Sequence, residues 1–249
     1  MPKPNRRRVY LTTQQIPKQV ETQYRTSLRQ IARAVGDIVN GRYDGSNDSV
    51  TEIMDALDSY GDVIDGWAHK VAEKFVTDVN RHNEKIWYQQ SEAISLELRN
   101  MVKNAPVGQV LRSMVEEQVN YIKSLPIEAA DRIYDIHNKA IEAMVTGQRP
   151  GTLAEEIAAS GDVAKSRATL IARTEIGRAT QALTQARATA IGSEGYIWCT
   201  ADDGDVRPSH QTMNGKFVRW ENPPTLDGMT GHAGALPNCR CYCEVVIPQ

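Results

Sequence analysis

The chain has 249 residues, is 41% hydrophobic and only 6% aromatic, and carries a net charge of −2. That apolar content supports a core, and so few aromatics favour helices packed through Ala, Val, Ile and Leu over a large β-sandwich. The near-neutral charge gives the whole chain no character of a nucleic-acid binder, and no apolar run is long enough to cross a membrane as a helix.

The charge is unevenly placed. Eight Lys or Arg stand against a single Glu between residues 1 and 33, while acids exceed bases by three from Glu194 onward. Residues 1–13 are Pro-rich and basic and are expected to form a flexible arm. Its Arg6, Arg7 and Arg8 would suit contact with DNA or an acidic partner surface. No apolar stretch follows the charged start, so it does not read as a secretory signal. Four clustered cysteines do not read as a secreted disulfide scaffold, and a reducing compartment is expected.

Residues 14–150 read as a helical region. Pro17 suits the first turn of a helix to about Val39, with Val20, Tyr24, Leu28, Ile31 and Val35 on one face. Asn40–Asp48 is a turn-rich break. A second helical stretch opens near Asp48 or Ser49, either of which can cap it, and Glu52 stands three residues after Ser49 as a capping box requires. Its periodicity runs through Ile53, Leu57, Ile64, Phe75 and Ile86 to Leu98. After a break at 105–108, one helix is expected to end before Pro126 and another to start there.

Thr152 and Glu155 read as a second capping box, opening a short helix that ends near Gly161. A long Ala-rich helix from about Val163 to Ile191 follows, with Gly192 as its C-cap. This pair resembles a helix-turn-helix, but the second helix is longer than a recognition helix needs, so a plain helical hairpin is preferred.

From Gly192 the period changes to that of short strands, at Tyr196–Cys199, Lys216–Trp220 and Cys239–Ile247. Pro208–Met213 suits a helical turn, Asn214-Gly215 a hairpin, and Glu221–Gly234 a loop. The fold class is therefore α+β, a mainly helical N-terminal region followed by a small α+β domain over 151–249 with short antiparallel strands.

In an extended strand Cys239, Cys241 and Cys243 share a face. Two thiolates with His210, and with Cys199 as a fourth donor, form a set that suits zinc, although the usual structural pair is Cys-x2-Cys. Small buried cysteines are the plainer reading. Arg173, Glu175, Asp202, Asp205, Arg207 and Arg240 read as a structural polar network, since a buried Arg must be paired. An alternative is a metal-dependent enzyme, nuclease or toxin-like, built on Asp202, Asp205, His210 and the cysteines.

The order of these motifs carries a resemblance. Ala172-Arg-Thr-Glu175 lies on a helix, and Gly195-Tyr-Ile-Trp198 follows it as a strand. Asp205-Val-Arg-Pro-Ser-His210, Asn214-Gly215 and Pro237-Asn-Cys-Arg-Cys241 complete the series. Over roughly Thr152 to Ile247 this resembles the Mu F-like phage head morphogenesis proteins, also called minor head or minor capsid proteins. The resemblance implies a structural, non-enzymatic role in head assembly, made in the host cytoplasm and carried in the virion. It implies a place at the portal vertex and capsid interior, with portal, major capsid or scaffold protein as partners and packaged DNA nearby, and no membrane.

Overall fold

The structure, a computed structural model, describes residues 9–12, 17–44, 46–145, 153–201 and 203–248. Arg6, Arg7, Arg8, Thr152 and Asp202 lie outside the described residues. The chain is α+β, as expected: long helices as far as Ala190, then short antiparallel strands. Among the described residues no helix is long and apolar enough to cross a membrane. The helices are α1 (Lys18–Arg42), α2 (Asn47–Val63), α3 (Asp65–Ile94), α4 (Leu96–Lys103), α5 (Gly108–Val145), α6 (Leu153–Ala158), α7 (Ser160–Ala190) and α8 (Pro208–Gln211). The strands are β1 (Val9–Thr12), β2 (Gly195–Cys199), β3 (Phe217–Arg219), β4 (Thr225–Leu226), β5 (Met229–Thr230) and β6 (Tyr242–Ile247). The chain divides into two compact units, each built from segments that are not consecutive.

One unit is entirely helical, from Glu21–Lys74 and Val115–Ala172. Tyr24, Leu28, Ile31, Val35 and Val39 are the buried stripe of α1, at the spacing a helix face requires. The cap of α2 is Ser46, neither Asp48 nor Ser49: the Ser46 side chain accepts from the Ser49 amide. An Asp44 turn places Ser46 there, since the Asp44 carboxylate accepts from the Ser46 amide. The expected break at Pro126 does not occur, and α5 runs through it. Pro126 costs one backbone hydrogen bond, but Ile122, Leu125, Ala129, Ala130 and Ile133 around it are all buried. Burial of that face outweighs the local penalty. Elsewhere Tyr24 donates to buried Gln118 (2.8 Å), joining α1 to α5. Gly161 lies so close to Gly36 that a Cβ at 161 would meet its Cα at 2.8 Å, setting the approach of α7 to α1.

The other unit joins β1, Phe75–Met114 and residues from Arg173 onward. It holds a four-stranded sheet in the order β1-β6-β2-β3, with every neighbouring pair antiparallel. β1 corrects the expectation of a flexible arm through residue 13. Val9–Thr12 pair with Ile247–Glu244, Leu11 is buried, and Gln90 clamps the Thr12 amide and carbonyl at 2.8 Å each. The segment alternates apolar and polar, which a strand half in the core requires. On the inner face, Leu11, Tyr196, Trp198, Val218, Cys243, Val245 and Ile247 pack with Trp87, Leu98, Val102, Ala188 and Ile191 from the helices. A buried polar seam joins α3 to α7, where the Arg187 guanidinium donates to Asn83 (2.7 Å) and Asn80 (2.8 Å). The stretch expected as a loop from Glu221 contains the hairpin β4–β5. Its turn residues, Asp227 (φ 53°) and Gly228 (φ 78°), are both left-handed, the conformation of a two-residue hairpin turn.

Candidate metal centre on the motif loops

Three motif segments converge on one buried cluster. The first is α8. Pro208 opens it at a position where the missing amide proton costs nothing, and two residues later His210 turns inward, almost fully buried. Its ring stands edge-on to Trp198, with centroids 5.7 Å apart at 86°. The second is the loop before β6. Asn238 has φ 55°, and this left-handed residue lets Cys239 leave the line of the strand. The third is the entry to β6 itself, at Cys241.

His210 Nδ1 lies 3.4 Å from Cys239 Sγ and 3.6 Å from Cys241 Sγ. All three donor atoms fall within 4.8 Å of one another and all three residues are buried. A tetrahedral ion with the usual zinc–nitrogen and zinc–sulfur lengths would separate these atoms by ~3.5 Å, so the spacing fits. His210 Nε2 is buried and has no partner among the described residues. The imidazole therefore makes its polar contacts through the nitrogen that faces the sulfurs. These residues can hold a metal ion.

The electrostatics of the pair agree. The Cys239 thiol pKa is lowered, first because the Cys241 thiol donates to it, then because the Cys241 and Gly234 amides do, with His210 adding to the effect. Cys241, the partner that keeps its proton, is pushed up by the same contact and by burial. The contact thus favours a thiolate at Cys239, and a bound metal would displace the proton of Cys241.

Cys199 does not join the group. Side chains alternate along β2, so Trp198 faces the core while Cys199 lies on the opposite face, across from Tyr242. Its thiol is raised to about 11, mainly by burial and then by Glu244. Cys243 shares the inner face with Cys241 but sits one pair deeper, fully in the core beside the Ala233 carbonyl.

The expected polar network resolves into separate contacts. Arg240 pairs with Asp203 (2.9 Å) and Asp205 (3.1 Å) at the surface. Buried Glu175 pairs with Arg178 at 3.2 Å. Arg207 donates to the Pro237 carbonyl at 2.7 Å. Arg173 is exposed. The residues that sequence reasoning missed are those by which α7 grips the cysteine loop. Thr174 accepts from the Asn238 amide (3.3 Å), Arg178 donates to the Ala235 carbonyl (2.9 Å), and Gly177 lies against the Gly234 carbonyl. Their signal was available: 174, 177, 178 and 181 form one helix face, and the i,i+3 spacing of Glu175 and Arg178 announces an ion pair. Behind the loop, the Ala233 amide donates to the Tyr196 hydroxyl, which in turn contacts His232 Nδ1 at 3.2 Å.

Comparison with known proteins adds an independent line. Residues 134–244 match the family model described as Phage Mu protein F like protein, beginning inside α5, before Thr152. An uncharacterized protein of Haemophilus influenzae is 30% identical over 177 residues, which is 70% of this chain and 38% of that relative. The chain therefore spans under two fifths of the relative's length. No solved structure matches significantly. The matched region contains the α7 grip, the Trp198 strand, His210 and the Cys239-Arg-Cys241 segment, and over these residues the chain is similar to the Phage Mu protein F like family.

Proposed function

We propose that this protein is a minor head protein that acts structurally in phage head morphogenesis, without catalysis, and is carried in the virion. Similarity to that family over residues 134–244 supports the general role in head morphogenesis. The observation that carries the structural reading is what the residues of the matched region do. Thr174, Gly177 and Arg178 hold the loop, and His210, Cys239 and Cys241 close on one another in the core. Asp205, one of the two acids on which a metal-dependent nuclease would be built, is engaged with Arg240 at the surface. In this reading the triad binds zinc as a staple for a sheet of very short strands. The protein sits at the portal vertex on the capsid side, against portal, major capsid or scaffold protein, with Arg6, Arg7 and Arg8 toward packaged DNA.

The test is composition and phenotype together. Mass spectrometry of purified heads should find the chain in a few copies, and a deletion should reduce the yield of complete heads. Heads assembled and filled normally without it would contradict the proposal.

A further inference from the structure

Beside the metal triad is a cavity of about 240 Å³, lined by His210, Cys239 and Cys241 together with Arg173, Arg207 and Arg240. The three arginines differ in state. Arg240 is occupied by Asp203 and Asp205. Arg207 uses one terminal nitrogen on the Pro237 carbonyl, while its other, Nη1, is buried without a partner among the described residues. Among the described residues no acid pairs with Arg207 or Arg173. A buried guanidinium nitrogen left unsatisfied is costly, and it lies on the wall of a space large enough for a small group. The triad offers three donors, one fewer than a closed tetrahedral site, and all three line this same space.

We propose that the cavity receives a carboxylate from an acidic side chain of a partner protein, gripped by Arg207 and Arg173 and supplying the fourth ligand to the ion. This rests on the metal reading above and extends it from an internal staple to a docking point. The charge balance selects the ligand. A divalent ion with two thiolates is neutral, and three arginines against Asp203 and Asp205 leave one positive charge among the described residues. A single carboxylate matches it. A nucleic-acid backbone would bring many charges past the two aspartates, which repel it. Arginine's fixed fork suits carboxylate recognition.

The test uses the full chain loaded with cobalt(II), whose thiolate absorption reports the triad and whose visible bands report the fourth ligand. Titration with acetate should shift the visible bands with saturation, more strongly than inorganic phosphate or a short DNA duplex. Arg207→Gln should weaken acetate at least about tenfold, as loss of a charged hydrogen bond implies, with the thiolate band retained. Because Arg207 also holds Pro237, exposed Arg173→Gln serves as a second variant and should weaken acetate less. Bands unmoved by acetate, an unchanged response in both variants, or a response to phosphate or DNA but not acetate would overturn the docking proposal. Absence of the thiolate band in the unaltered protein would overturn the metal reading, and the docking proposal with it.

Discussion

Gly177 on α7 faces the Gly234 carbonyl so closely that a methyl group at 177 would lie 2.5 Å from that oxygen and 3.7 Å from the Cys239 carbonyl. Gly234 itself has φ 87° and sits 3.0 Å, by its would-be Cβ, from the Cys241 carbonyl. Two glycines therefore let the helix and the cysteine loop meet backbone to backbone. Gly177→Ala should destabilise the protein by about 1–3 kcal/mol, as overpacking against rigid backbone does, and should lower metal affinity because the loop carries Cys239. Gly61→Ala is the control: its Cβ would meet only Pro126 at 3.8 Å, and helix propensity favours the change. Urea denaturation of the two variants checks the contrast.

Removal of residues 1–8 should leave the melting temperature unchanged, while removal of 1–13 should lower it. The second deletion takes away β1, with Leu11 in the core and its ladder to β6. Burial of a leucine alone is worth ~2 kcal/mol. The shorter deletion is the proper test of the basic arm, and it should reduce incorporation into heads. Unchanged incorporation would remove the role assigned to Arg6, Arg7 and Arg8.

Arg187→Ala should cost about 2–4 kcal/mol in a denaturant titration. The guanidinium is buried, its charge disfavoured first by desolvation and relieved by Glu84, and both its side-chain partners are neutral amides. Truncation strands two carbonyl oxygens, of which the one on Asn83 is buried. Arg187→Lys should recover part of the loss, since one ammonium replaces a two-pronged donor.

His232 supplies a pH dependence. Burial lowers its folded pKa, opposed by a hydrogen bond to the Trp220 backbone. The Tyr196 hydroxyl accepts from the Ala233 amide and so has its proton free for His232 Nδ1, which requires the neutral ring. In the unfolded chain the ring protonates near its ordinary value of about 6.5. The folded state then binds fewer protons, so stability is full above that value and falls as pH drops through it toward the folded pKa. Melting curves from pH 7.5 to 5 should show the decline. His232→Asn, which places an acceptor near the Nδ1 position, should flatten it.

Much of this arrangement was legible beforehand, for identifiable reasons. Tyr24, Leu28, Ile31 and Val35 declare α1 because a helix face repeats at a fixed interval. Cys239 and Cys241 declare a shared site with His210 by their i,i+2 spacing, although the strand expected to carry both begins only at Tyr242 and Cys239 lies on the loop before it. The same alternation places Cys199 beyond reach once Trp198 is seen to be the inward residue, which depends on which β2 face meets the helices. Pro126 misleads because a local penalty was weighed without the buried faces flanking it. The strand at Val9–Thr12 was hidden by the basic run before it, since its partner β6 lies more than 230 residues away. The gathering of 75–114 with residues beyond 173 in one unit is likewise a long-range fact, and local spacing does not carry it.

The most direct test of the central claim, that His210, Cys239 and Cys241 hold a metal ion that stabilises the domain, is elemental mass spectrometry of the purified protein with melting measured with and without chelator. About one zinc per chain is expected, with a melting temperature lowered by chelator and loss of both metal and chelator effect in Cys241→Ser. A metal-free protein that melts identically with and without chelator, and binds no added zinc, would contradict it.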